Sequence, residues 1–144
     1  MPGLNALAAK AYDAETRFSD RVHFVHVYVV EPHPMAPDPA PHVGVVAEDP
    51  TYSVVRQPKT YEARLLNAAT ARPLILGNQI QLVDALDPNG LINPVWCTYG
   101  TSPNAAYLIG CDGIIRLAST WTAPAKLEAA IHNLIEEAAS PARP

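Results

Sequence analysis

Nine residues near the start of the chain, Val22-His23-Phe24-Val25-His26-Val27-Tyr28-Val29-Val30, restrict what can be built around them more than any other stretch. Seven of the nine are apolar, mostly valine with Phe24 and Tyr28, which predicts a β-strand. An apolar run without clean alternation predicts burial on both faces, the condition of parallel strands in α/β proteins. The run ends at Glu31-Pro32-His33-Pro34. Because ligands and chemistry gather beyond the carboxyl ends of strands in open α/β sheets, Glu31 and His33 are the first candidate site residues. A carboxyl and an imidazole two residues apart make an acid–base pair; the plainer alternative is a proline-bracketed surface turn.

The remaining elements follow from spacing. Leu4, Leu7, Ala8, Ala11, Tyr12 and Phe18 predict an amphipathic helix over about 3–19, with Pro2 suited to its first turn. Pro32, Pro34, Pro37, Pro39, Pro41 and Pro50 mark residues 34–57 as a long Pro-rich loop. Thr60 is a candidate N-cap, with Ala63, Leu66, Ala69 and Ala71 at helical spacing, Pro73 as a kink or stop and Gly77 as a terminator. A short strand is expected at Ile80–Asp84, with Leu74–Leu76 as the alternative. Residues 87–100 carry Pro88, Gly90 and Pro94 and should hold at most a short helix.

Ala105–Ile109 and Ile114–Leu117 flank Gly110-Cys111-Asp112-Gly113, a β-hairpin pattern. Thr122 is the expected cap of a last helix with Pro124 in its first turn and Leu127, Ile131, Leu134 and Ile135 along one stripe. The order is helix, strand, helix, strand, hairpin, helix, one strand short of a thioredoxin-like α/β fold. Residues 1–139 are expected to form one domain and 140–144 a disordered tail.

Composition narrows the functional classes. The chain has 144 residues, 49% apolar and 17% charged, with a formal net charge of −4 and its Lys and Arg scattered, which argues against nucleic-acid or anionic-membrane partners. No apolar run approaches ~18 residues and no signal-peptide pattern opens the chain, so a cytoplasmic location is expected. Cys97 and Cys111 form no C-x-x-C pattern, and Cys111 falls in the hairpin turn, so a disulfide between them is not expected. His23 and His26 fall on opposite faces of a strand and do not suit a shared metal. No metal or bound cofactor is therefore expected. Trp96, Tyr99 and Trp121 suit either a substrate groove or core packing.

Val27-Tyr28-Val29-Val30-Glu31-Pro32-His33-Pro34 resembles the Ile/Val-Tyr-Ile-Glu-Glu-Ala-His-Pro segment of the iodothyronine deiodinases, a thioredoxin-fold family. Two further blocks, in the same order, strengthen the likeness. Val54-Val55-Arg56-Gln57-Pro58-Lys59-Thr60-Tyr61-Glu62-Ala63-Arg64 is similar to that family's Ile-Ile-Pro-Gln-His-Arg-Ser-Leu-Glu-Asp-Arg, with Gln57, Glu62 and Arg64 identical. Tyr99-Gly100 and Tyr107-Leu108-Ile109 match a Tyr-Gly and a Tyr-Val-Ile at the same separation.

The resemblance implies a thiol- or selenol-dependent oxidoreductase, performing reductive dehalogenation or thiol-disulfide or peroxide chemistry. Its site would use Glu31 and His33 for proton transfer, Gln57 and Arg64 to shape the loop, and Tyr99, Ser102 and Pro103 on the substrate side. The reductant would be an external thiol, and the substrate a small molecule or a protein thiol; a homodimer is compatible with the same reading. Pro58 and Ala105 stand where deiodinases have His and Arg, so iodothyronine itself is not the implied substrate. Met1 stands where the family has its selenocysteine or cysteine, at a helix start that stabilises a thiolate. The expectation is that the first strand and the nucleophile lie upstream of Met1, which makes the chain a selenoprotein candidate. The rival is a non-catalytic binding module of the same fold that has lost its nucleophile. A weaker alternative uses Cys97 for hydrolase or lyase chemistry.

Overall fold

The computed structural model describes residues 2–38, 55–86, 93–100 and 104–139. It is a mixed α/β structure with one parallel and one antiparallel sheet of two strands each. It divides into two compact units, Met1–Phe24 with Asn104–Pro144, and Val25–Pro103.

In the first unit the expected long first helix is broken. Helix α1 spans Pro2–Ala9 and a four-residue helix α2 spans Phe18–Arg21. Asp13 is the cause: its carboxylate accepts the backbone N–H groups of Glu15 at 2.9 Å and Thr16 at 2.7 Å, a local alternative to helical bonding. The Asp20 carboxylate then accepts the Arg17 N–H at 2.7 Å and opens α2. The break turns Phe18 fully into the core, where it meets Leu7, Leu108, Leu127 and Ile131, with Tyr12 edge-on to its ring.

Strands β3 (Ala106–Ile109) and β4 (Ile115–Ser119) form the expected hairpin, shifted by about one residue. Gly113, at φ 79°, supplies the left-handed turn, and Asp112 accepts the Ile114 N–H at 3.1 Å. Helix α5 spans Pro124–Ala139 and lays Leu127 and Ile131 on β3 and β4. Thr122 does not cap it as expected: its hydroxyl donates to the Asn104 carbonyl at 2.7 Å. Gly3 of α1 packs so closely on Pro124 that a Cβ there would meet the ring at 2.7 Å, which excludes any larger side chain without displacement.

In the second unit β1 spans Val25–Tyr28 and β2 spans Ile80–Val83, paired in parallel with Val25 opposite Ile80 and Tyr28 opposite Val83. The expected strand over 22–30 is thus shorter, because Val22 and Phe24 pack around the core of the first unit. Burial on both faces is also overturned. Val25, Val27, Ile80 and Leu82 are exposed, while His26 and Tyr28 turn inward, where their polar ends find partners.

Helix α3 spans Tyr61–Ala71 and packs on β2; a 3-10 turn over Arg72–Leu74 absorbs Pro73, and Gly77 at φ 71° turns the chain into β2. Leu74–Leu76 forms no strand. Asp84 leaves the expected strand to hold the start of helix α4 (Pro94–Tyr99). Thr60 caps α3 as expected, its hydroxyl accepting the Ala63 N–H at 3.2 Å. Thr60→Ala should lower stability by about 1 kcal/mol in urea unfolding, whereas Thr60→Ser should restore most of it.

Candidate functional site

Just beyond the carboxyl end of β1 the chain builds a polar cluster. Tyr28, the last residue of the strand, donates its phenol O–H to the Glu31 carboxylate. Gln57 grips the backbone of the same residue twice, its Oε1 accepting the Glu31 N–H at 2.9 Å and its Nε2 donating to the Glu31 carbonyl at 3.0 Å. The Gln57 N–H donates to Asp38 at 3.0 Å, and Asp38 takes a two-pronged bond from Arg56 at 2.6 and 2.9 Å. Asn67 of α3 adds a bond to the same cluster, donating to the Arg56 carbonyl at 3.0 Å. With Met35 N–H on the Val55 carbonyl at 2.7 Å, the described ends of the Pro-rich connection are tied to each other and to the strand. Residues 39–54 of that connection lie outside the described residues.

The electrostatics of the cluster centre on Glu31. Burial lifts its pKa above the ordinary carboxyl value, and the Tyr28 hydrogen bond and the nearby His33 charge only partly offset the shift. Burial and the same hydrogen bond push the Tyr28 phenol up, so it stays a donor. Asp38 moves the other way, to about 2, because Arg56 and the Gln57 N–H stabilise its charge.

These shifts have opposite consequences for stability. Folding raises the Glu31 pKa, so its stabilising contribution is complete below its unfolded value of 4.5 and is lost as pH rises through its folded value. Asp38 contributes above its unfolded value of 3.8 and loses that contribution as pH falls through about 2. Across about pH 4 to about pH 8, wild-type stability should therefore decline relative to Glu31→Gln, read by urea unfolding; parallel curves would remove Glu31 as the responsible group. In Tyr28→Phe the Glu31 carboxyl should titrate higher still, as followed by carbon NMR.

Arg64 makes its bonds at the connection between β2 and α4. It is 1% exposed and binds the segment after β2: its guanidinium donates to the Asp84 carbonyl at 3.1 Å, the Ala85 carbonyl at 2.8 Å and the Asn93 side chain. Its Nε is buried without a partner. The Asp84 carboxylate, itself 3% exposed, accepts the N–H groups of Val95 at 3.0 Å and Trp96 at 3.1 Å, the first turn of α4. Burial lowers the Arg64 pKa, and the Asp84 charge opposes that. Arg64 therefore fixes the two ends of the β2–α4 connection and, through it, Trp96.

The cluster thus brings Glu31, His33 and Gln57 together and leaves Arg64 to α4. Tyr99 is exposed at the end of that helix, and Ser102 and Pro103 lie outside the described residues. Cys97 and Cys111 are free and exposed. Sequence reasoning missed Tyr28, Asp38, Asn67, Asp84 and Asn93. The signal for Tyr28 was present, a phenol three residues before a carboxyl at a strand end; nothing local marked the others. Among the described residues no group of three His, Cys, Asp or Glu side chains could hold a metal, and no helix is long and apolar enough to cross a membrane.

No protein-family model, curated protein or solved structure matches this chain.

Proposed function

We propose that this chain is the proton-handling part of a thioredoxin-like, deiodinase-like oxidoreductase whose thiol or selenol nucleophile lies upstream of Met1. The observation that carries the reading is the Tyr28–Glu31–His33 cluster: a half-buried carboxyl with a raised pKa, clamped at the carboxyl end of a parallel strand. The order of elements supports it, with β1, α3, β2, the β3–β4 hairpin and α5 in thioredoxin sequence. So do the Gln57 bonds, since Gln57 is one of the residues that carry the resemblance.

In the proposed reaction a thiolate or selenolate attacks a disulfide sulfur, a peroxide oxygen or an aryl iodine. The bond to the departing group breaks, and that group takes its proton from the Glu31 and His33 pair. The two electrons come from the nucleophile. Two equivalents of an external thiol restore it and leave as a disulfide.

The test is an assay of the chain extended by its upstream in-frame segment, with dithiothreitol as reductant and a disulfide, a peroxide and an aryl iodide as substrates. Turnover is expected with at least one, and the chain starting at Met1 should be inactive. An extended chain that carries the nucleophile yet turns over none of them is a binding module of the same fold. Activity in the chain starting at Met1 that disappears in Cys97→Ser would instead assign the chemistry to Cys97.

A further inference from the structure

We propose that the Asp38–Arg56 ion pair is a positioning device for the Glu31 carboxyl, acting through the main chain of Gln57. That Glu31 handles protons rests on the function proposed above. The positioning itself rests on bonds within the second unit alone.

The Asp38 carboxylate collects three N–H donors from two consecutive residues. Its Oδ2 accepts the Arg56 Nε–H at 2.6 Å and the Gln57 backbone N–H at 3.0 Å, and its Oδ1 accepts the second prong of the Arg56 guanidinium at 2.9 Å. A fork on a carboxylate fixes direction as well as distance. Asp38 is anchored in turn, its N–H donating to the Met35 carbonyl at 3.2 Å and the Met35 N–H to the Val55 carbonyl at 2.7 Å. Main chain and side chains together seat residues 55–57 against residues 35–38 in one register.

Gln57 passes that register on. Its side-chain amide places both ends on Glu31, accepting the N–H at 2.9 Å and donating to the carbonyl at 3.0 Å, which one amide orientation alone allows because the reversed amide would set donor against donor. A glutamine side chain turns about several bonds, so the seat of its main chain aims it. Among the described residues those two bonds are the ones that reach the Glu31 backbone, while Tyr28 holds the carboxyl end. Without the Asp38 anchor, Glu31 is left tethered by its side chain.

The pair is poorly suited to the other roles an ion pair could have. The Arg56 side chain is 49% exposed, and an ion pair so open to water contributes little to folding by itself. Nor does it act as a field on Glu31: the two charges cancel, and burial, then Tyr28 and His33, set the proton affinity of that carboxyl. Arg56 holds Asp38 down to about 2, so the clasp keeps its charge wherever Glu31 titrates. A pH-insensitive clasp thus aims a pH-sensitive acid. In the segment that residues 54–64 resemble, the position of Arg56 is a proline, which has no guanidinium to offer, so the clasp belongs to this chain.

The experiment needs no turnover and uses the chain of 144 residues. In Asp38→Ala the Glu31 carboxyl, followed by carbon NMR, should titrate lower, toward its ordinary 4.5, as the loosened strand end admits water. The Glu31 amide should exchange about 10-fold faster or more. Arg56→Lys keeps the charge and loses the fork, and should shift both readouts the same way by less. Gln57→Ala should reproduce both changes, and adding Asp38→Ala to it should move neither further, because the path through Gln57 is already cut. Unchanged Glu31 titration and exchange in Asp38→Ala and Arg56→Lys would overturn the proposal. So would an undiminished effect of Asp38→Ala in the Gln57→Ala background, the mark of a field or of general loosening. If Asp38→Ala does not fold, Arg56→Lys and Arg56→Gln decide by the same two readouts. A chain that shows these shifts without oxidoreductase turnover loses the redox reading alone; turnover with a Glu31 indifferent to Asp38 and Arg56 loses this one alone.

Discussion

Arg64→Ala should lower the unfolding free energy by about 3 kcal/mol and loosen α4 while leaving the Glu31 cluster in place. Removing the guanidinium strands three acceptors, the Asp84 and Ala85 carbonyls and the Asn93 side chain. Each unsatisfied buried acceptor costs roughly 1–3 kcal/mol. Two circumstances reduce the sum: Ala85 is exposed, so water can reach its carbonyl, and the unpartnered Nε of Arg64 disappears with the side chain. Against that, the cavity left by a fully buried side chain adds its own penalty.

Arg64→Lys should recover little, since one ammonium cannot span three acceptors at the two ends of a connection. Urea unfolding gives the magnitude, and the fluorescence of buried Trp96 gives the location, because α4 hangs on the Asp84 carboxylate that Arg64 holds in place. Asp84→Asn should produce the same spectral change, and the double variant should cost less than the sum of the two. A loss under about 1 kcal/mol for Arg64→Ala, with Trp96 emission unchanged, would show that α4 is held by something else.

How much of this was legible beforehand depended on whether the signal was local. The hairpin was readable because Gly110, Asp112 and Gly113 set its turn through their own backbone and side chains. The Thr60 cap was readable for the same reason. The first helix was not, because its interruption turns on two bonds from Asp13 that compete with a spacing which, by itself, continues to Phe18. The double burial of β1 was also misread: apolarity alone does not say which face a partner covers, and here the partners found are those of His26, which bonds Gln79 at 2.7 Å, and of Tyr28.

At the site, Glu31, His33 and Gln57 could be chosen from position and resemblance. Asp38 and Asn67 could not, because their roles come from bonds to residues 18 and 11 positions away, which no periodicity encodes. The bonds of Arg64 were not legible either, since sequence shows a cation on a helix and not which carbonyls lie beneath it.

If the proposed oxidoreductase activity is found, His33→Ala should reduce its kcat/KM by about 10²-fold or more while shifting the melting temperature by no more than about 2 °C. The expectation rests on how the cluster is divided. The conformation of the strand end is held by Gln57, through the backbone of Glu31, and by Tyr28. His33 takes no part in those bonds and acts on Glu31 through its charge, which holds the carboxyl pKa down against burial. Its removal should therefore push the Glu31 pKa further up and move the acid limb of the pH–rate profile to higher pH, a change that a purely structural turn would not make. Glu31→Gln should lower the rate comparably without disturbing the fold, because both Gln57 bonds go to the main chain and the new amide oxygen can still accept from Tyr28. If the two residues work as one proton-transfer unit, the double variant should be scarcely slower than either single one. Wild-type turnover in His33→Ala, with an unshifted pH profile, would reduce Glu31-Pro32-His33-Pro34 to a turn and leave proton transfer to another group.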